Sequence, residues 1–282
     1  MATSRTAAYV ALYRALETTE SRRPPLFVDH YARAFLPRSL DLAVRVARVP
    51  GLRRLLVRYA DSRAPGARTS AIARTAYIDD TVRDAVRAGV RQVVLLGAGY
   101  DCRAHRMPEL AGVEVFEVDR ADTQRAKRAR LSDSRAVHYV TVDFLRDDLA
   151  TALTTAGWRT TEPTLIVWEG VTNYLTEPAV LAVLRWVGST CAGSSIVFTY
   201  IHGGVLDRSV AFPGADKLVA NVRALGEPWT FGIHPERIAE FVAQAGLRLR
   251  ANLGADEYRR RYLGDVDAGY AFYRIAVADV QA

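Results

Sequence analysis

The spacing of apolar positions changes along this chain. Over roughly the first sixty residues they recur every three or four positions, the spacing of a helix. Val10, Tyr13 and Leu16 line one face of a segment over residues 6–16, and Pro24-Pro25 interrupts the pattern. Further helical segments are predicted over 27–36 and 40–59, the second broken at Pro50-Gly51. No strand-like alternation occurs here, so this part reads as a helical appendage or cap.

From Ser70 the texture is different. Ile72, Ala76, Ile78, Val82 and Val86 mark a long helix over 70–88, closed by Gly89. Short apolar runs then predict strands over 92–96, 113–118, 137–142, 164–168 and 195–200, with helical patterns over 122–131, 149–156 and 177–187 between them. Strands alternating with helices predict a parallel sheet covered on both faces. The stretch 202–231 follows neither period and reads as irregular. After a helix over 235–245 come two candidate strands, 246–252 and 270–279, with no helix predicted between them. The sheet is therefore expected to finish in an antiparallel, hairpin-like element.

Composition narrows the class. Of the 282 residues 50% are hydrophobic and 24% charged, ordinary for a globular protein with chain enough for a substantial core. No apolar run approaches the ~18 residues of a membrane span, and the first residues lack the apolar centre of a secretory signal. Cys102 and Cys191 stand far apart without a partner motif, which excludes a disulfide framework or a cysteine metal site. A cytoplasmic protein with no metal and no membrane partner is expected. The net charge of +7 comes almost wholly from arginine, since Lys127 and Lys217 are the only lysines. These arginines are interleaved with Asp and Glu rather than gathered in a stripe, so nucleic acid is not expected as a partner. A solvated, arginine-rich surface accounts for them, with an anionic small molecule next in line.

The informative residues sit where predicted strands end, which is where open α/β sheets bind ligands. Gly97-Ala98-Gly99 follows the first strand directly, and glycines there let the backbone approach a ligand. Asp119 closes the second strand, placed to accept hydrogen bonds from ribose hydroxyls. A dinucleotide fingerprint requires another glycine three residues after Gly99, but Cys102 stands there, which argues against NAD or FAD. S-adenosylmethionine carries an adenosine without a pyrophosphate and needs only the glycine turn and the ribose acid. After the third strand, Asp143-Phe144 offers a carboxylate to an adenine amine and a ring to its face. Glu169 follows the fourth strand. Taken singly, each acid also fits a solvated strand end, but three of them closing consecutive strands would be costly if buried without partners.

Longer runs carry a resemblance. They are Ala73-Arg74-Thr75-Ala76-Tyr77-Ile78-Asp79-Asp80, Val93 to Arg103 through Gly97-Ala98-Gly99-Tyr100-Asp101-Cys102, Phe116-Glu117-Val118-Asp119, Lys127 to Leu131, Trp168 to Leu175 and Gly226 to Gly232. With Arg14-Ala15-Leu16-Glu17 and Leu26-Phe27-Val28-Asp29 they resemble the leucine carboxyl methyltransferase family, which includes bacterial natural-product carboxyl O-methyltransferases. The resemblance implies a class I methyltransferase fold: an α/β, Rossmann-like parallel sheet with an antiparallel last strand and a helical N-terminal cap. The cap would occupy residues 1–69 and the methyltransferase domain 70–282, with a lid insertion about 202–232. It further implies S-adenosylmethionine as cofactor, with Arg74 on its methionine carboxylate and Glu169 near its ammonium. Gly97 and Gly99 would pass beside the methionine and ribose, Asp119 would hold the ribose hydroxyls, and Asp143 with Phe144 the adenine. Tyr174 would stand nearer the transfer site. The family commonly has threonine where this chain has Cys102, a small change of size and polarity.

Methyl transfer from a sulfonium is an in-line displacement on an activated carbon, so alignment and exclusion of water are the enzyme's main contributions. A carboxylate acceptor is already ionised at neutral pH, whereas a phenol with a pKa of ~10 benefits from a base. Of the histidines, His202 and His234 are the best placed, and neither is compelling. Tyr174 and His202 are the candidate catalytic side chains. Phe212, Trp229 and Phe231 could wall an aromatic acceptor, and Arg223 or an N-terminal arginine could pair with an acceptor carboxylate. The expected function is S-adenosylmethionine-dependent O-methylation of a carboxylate on a small molecule of secondary metabolism. Methylation of a phenol or hydroxyl on a polyketide-like metabolite is the alternative. A nicotinamide-dependent oxidoreductase or a non-catalytic cofactor binder stands further off.

Overall fold

In a computed structural model, which describes residues 5–21, 23–131, 137–144, 146–264 and 270–281, the five apolar runs become parallel strands of a seven-stranded sheet. Three helices precede it: α1 (Arg5–Thr18), α2 (Arg38–Val46) and α3 (Pro50–Arg63). The long α4 (Ala67–Arg87) leads into β1 (Gln92–Leu96), α5 (Arg103–Arg106), β2 (Glu114–Asp119), α6 (Ala121–Arg128) and β3 (His138–Thr141). Next come α7 (Leu149–Thr155), β4 (Thr164–Trp168), α8 (Glu177–Gly188) and β5 (Ser195–Ile201). The chain finishes through α9 (Gly204–Asp207), α10 (Ala215–Ala224), α11 (Ile238–Ala243), β6 (Leu247–Gly254), α12 (Ala255–Leu263) and β7 (Tyr273–Val280).

The strand order is β3-β2-β1-β4-β5-β7-β6, with β7 antiparallel to both neighbours. This is the class I methyltransferase arrangement. Side chains alternate across each strand, so the sheet has two apolar faces. Val94, Leu96, Phe116, Ile166 and Phe198 pack toward α7, α8 and α11, while Val93, Leu95, Val115, Val167 and Val197 face α4 and α12. Burial on both faces explains why β1, β4 and β5 read as continuous apolar runs rather than alternating ones. The strand order reverses between β1 and β4, which leaves a crevice at their carboxyl ends. No helix among the described residues is long and apolar enough to cross a membrane.

Three expectations need correction. The last two strands do pair antiparallel, but α12 lies between them. Its charged run Asp256, Glu257, Arg259, Arg260 and Arg261 hides a short apolar stripe, Tyr258 and Tyr262, four residues apart. Tertiary contacts decide this helix: Tyr258 meets the Ser70 hydroxyl at 2.8 Å and Tyr262 donates to Asp80 at 2.5 Å, fixing α12 along α4. Residues 27–36 are not a helix; only Ala32–Phe35 form a single 3-10 turn. There the buried Asp29 carboxylate accepts the Ala32 N–H at 2.9 Å, a local bond that competes with helix propagation. Finally, the stretch 202–231 contains α9 and α10 rather than irregular chain alone.

Candidate active site

The site begins with the turn after β1. Gly97 has φ +62 and Gly99 φ +46, a left-handed region that favours glycine. A Cβ on Gly97 would also meet Val171 Cγ2 at 2.5 Å, so the loop after β4 closes directly on this turn. The Asp119 carboxylate, at the end of β2, accepts the Gly99 N–H at 2.6 Å and the Arg120 N–H at 2.7 Å. Burial raises the Asp119 pKa, and these backbone donors only partly offset it.

Opposite the turn, α4 presents Arg74 and the end of β4 presents Glu169. Arg74 Nε donates to Glu169 Oε1 at 2.8 Å, and its guanidinium lies over the Tyr273 ring, 4.9 Å from the centroid. Arg103, fully buried at the start of α5, donates to Glu169 Oε2 at 2.8 Å and reaches Asp101 at 2.5 Å and Asp79 at 2.8 Å. Burial alone would raise the Glu169 carboxyl, but Arg103 and Arg74 outweigh it and hold the pKa below the ordinary carboxylate range. Asp101 is driven further down in the same way, by Arg103, Arg14 and Lys127.

These groups border one cleft at the carboxyl ends of β1 and β4. Arg74, Gly97, Gly99, Asp101, Glu169, Val171, Tyr174 and Tyr273 line it, and α1 contributes Ala7, Val10 and Arg14. Arg14 is a tie as well as a wall. Its guanidinium donates to the Tyr100 carbonyl at 2.5 Å and to Asp29 at 2.9 Å, joining the first helix to the β1 turn. Asp29 also lies 3.8 Å from Arg106, which itself donates to Asp79. Four guanidiniums (Arg14, Arg74, Arg103 and Arg106) are thus balanced by Asp29, Asp79, Asp101 and Glu169 in one continuous buried array.

The family model of leucine carboxyl methyltransferase matches residues 7–188. The chain belongs to the leucine carboxyl methyltransferase family. A Frankia alni relative that carries the name of an S-adenosyl-L-methionine-dependent methyltransferase is 40% identical over 212 residues, covering 72% of this chain and 70% of that protein. A relative from Streptomyces coelicolor with the same style of name is 38% identical over 222 residues, 73% and 72% of the two chains. Among solved structures, a duf574 family protein from Streptomyces avermitilis superposes with a TM-score of 0.59 over 95% of this chain and 97% of that one. It is 14% identical, so this likeness speaks for the fold. As a member of the leucine carboxyl methyltransferase family, the chain is a methyltransferase whose cofactor is S-adenosylmethionine.

Within this family member, Arg74, Gly97, Gly99, Glu169 and Tyr174 line the cleft together, while Asp119 stands behind the lining and reaches it through the Gly99 N–H. Asp143 and Phe144 follow β3, outside the cleft lining; Asp143 donates its backbone N–H to Asp147, and the Phe144 ring sits 6.3 Å from that of Trp168. His202 also lies outside the cleft lining. Its ring packs against Phe212 and His234, and its Nδ1 accepts the Gly204 N–H at 3.0 Å, so the lone pair of the neutral ring is committed. Burial lowers its pKa further. The aromatic residues expected to wall an acceptor pack on other rings: Phe212 and Trp229 on Phe272, Trp229 also on the cleft-lining Tyr273, and Phe231 on Phe241. Arg223 is exposed on α10. The sequence alone gives no individual role to Arg14, Asp29, Asp101, Arg103 or Tyr273. The first four lie inside the runs that carry the resemblance, which was the available signal. Tyr273 lies outside them and had none.

Proposed function

We propose that this family member transfers the methyl group of S-adenosylmethionine to a carboxylate of a small-molecule acceptor. The residues present fit the donor. Gly97 and Gly99 leave bare backbone at the end of β1, beside the Asp119 carboxylate. Arg74 and Glu169 set a cation and an anion side by side, the complement of an amino-acid headgroup. Arg74 would hold the donor's carboxylate, Glu169 its ammonium and Asp119 its ribose hydroxyls, with Asp143 and Phe144 at the adenine. When bound, S-adenosylmethionine supplies a methyl carbon activated by its sulfonium. The chain's own contribution is to align the acceptor and exclude water. Ala7 and Val10 of α1, within the 1–69 cap, wall one side of the cleft, and Tyr174, in the same lining, would stand next to the acceptor and position it.

The ionisable groups of the cleft carry the carboxylate reading. Among the described residues lining it, the carboxylates are Asp101 and Glu169, both held below their ordinary range by guanidiniums. Neither is basic enough to take a phenol's proton near neutral pH. No histidine is among those lining residues, and His202 spends its lone pair on Gly204. An acceptor that arrives as a carboxylate makes no demand for a base.

Incubation with methyl-labelled S-adenosylmethionine and a pool of acidic and phenolic metabolites tests this. Mild alkali is expected to release the incorporated label as methanol, the behaviour of an ester. Label that is incorporated but stable to alkali would transfer the reading to an ether or amine product.

A further inference from the structure

Ten large apolar side chains are exposed among the described residues, and eight of them lie between Tyr9 and Tyr59. Leu42 and Val46 stand out on α2, and Leu52, Leu55 and Tyr59 on α3, with Val49 at the corner between the helices. They are not the core-facing stripe. On α2 the inward side is Leu40 and Val44, continued by Ala47, about half a turn around the helix axis from Leu42 and Val46. On α3, Leu52, Leu55 and Tyr59 recur at i, i+3 and i+7, while Arg53 and Leu56 face the protein. Each helix thus carries a second apolar face turned to solvent, which monomeric soluble proteins rarely present as a contiguous patch.

The charge around these faces is one-sided. Arg38, Arg48, Arg54 and Arg58 are exposed beside them. The two acids of this region are already engaged, Asp41 by Arg33 and Arg45, and Asp61 by Arg68. We propose that the α2–α3 pair is a docking surface for a lipid bilayer bearing anionic headgroups. The apolar stripes enter the acyl boundary, Tyr59 sits at the headgroup level, and the flanking arginines meet lipid phosphates, the arrangement of interfacial helices. A second copy of this chain fits less well, because a two-fold contact would set the same arginines against each other. Interfacial docking needs no spanning segment, and the lack of one was the ground for expecting no membrane partner.

The test is co-sedimentation of the whole 282-residue chain with phosphatidylcholine vesicles, with and without about 30 mol% phosphatidylglycerol. Partition onto the anionic vesicles is expected to exceed that onto neutral ones by about tenfold and to weaken as salt rises. The triple variant Leu52→Ser, Leu55→Ser, Tyr59→Ser is expected to lose about tenfold in partition, with its circular dichroism and S-adenosylmethionine affinity unchanged, because these side chains are exposed. Equal partition onto both vesicle types overturns the proposal. So does concentration-dependent dimerisation that the triple substitution abolishes, in the absence of vesicle binding.

Discussion

Arg74 and Glu169 are 95 residues apart in the chain and 2.8 Å apart in the fold. Each has a structural reason to tolerate the loss of the other. Glu169 keeps Arg103, and Arg74 keeps the face of Tyr273. Replacing Arg74 is therefore expected to weaken cofactor binding more than folding. The same holds for Asp119, which accepts the Gly99 N–H of the glycine turn and the N–H of its own neighbour Arg120. A lost charge-assisted hydrogen bond costs about 1.5–3 kcal/mol. Arg74→Ala and Asp119→Ala should each raise the calorimetric Kd for S-adenosylmethionine by roughly ten- to a hundredfold while leaving circular dichroism unchanged. Wild-type affinity in both variants would remove these side chains from the cofactor site. Asp119 and Glu169 were legible from the sequence because a strand end is a local feature. Arg103 was not singled out, because among so many arginines nothing local marks the one that becomes buried beside three carboxylates.

At the scale of elements, Arg14 fastens α1 to the Tyr100 carbonyl of the β1 turn, and its ion pair with Asp29 holds that guanidinium in place. The Asp29 carboxylate is shared, with Oδ2 facing both Arg14 and Arg106 and Oδ1 capping the Ala32 N–H. Asp29→Asn keeps the shape and one acceptor but leaves two buried guanidiniums without their common anion. Breaking a buried pair in this way costs about 3–5 kcal/mol. The melting temperature should fall by on the order of 10 °C in a calorimetric scan. A fall of less than about 2 °C would mean that the Asp29 carboxylate contributes little and that apolar packing and the Arg14 bond to the Tyr100 carbonyl hold α1. The strands β1, β4 and β5 were the most readable, because full burial makes them nearly uninterrupted apolar runs. α12 was not readable, because its charges dominate its composition and the partners of Tyr258 and Tyr262 lie on distant elements, α4 and β7.

For the whole molecule, the buried charges set the response to acid. Burial alone would raise Asp101 and Glu169, but the guanidiniums around them hold both carboxyls below their ordinary range in the folded chain. Unfolded, both titrate near pH 4. Their stabilisation is therefore complete above about pH 4 and is lost as pH falls through the lower folded values. Glu117 and Asp119, raised chiefly by burial, work in the opposite sense: they favour the folded chain in acid, and that contribution fades as pH rises through their raised values. The melting temperature of the unliganded chain is expected to stay nearly level from about pH 7 to 5 and to drop steeply below about pH 4. A steep drop beginning above about pH 6 would point to histidine rather than to these carboxylates.

The amino-acid sequence by itself determined the strands, the glycine turn and the acids that close β2 and β4, because each depends on local periodicity or on one backbone conformation. Its motifs also determined the family. Only the tertiary structure decided which arginines are buried and with whom, that His202 faces Phe212 and His234 rather than the cleft, and that α2 and α3 turn apolar faces to solvent. Those outcomes join residues tens of positions apart. An ion pair between Arg74 and Glu169, or between Arg103 and Glu169, exists only once the sheet has brought their elements together and withdrawn water from between them.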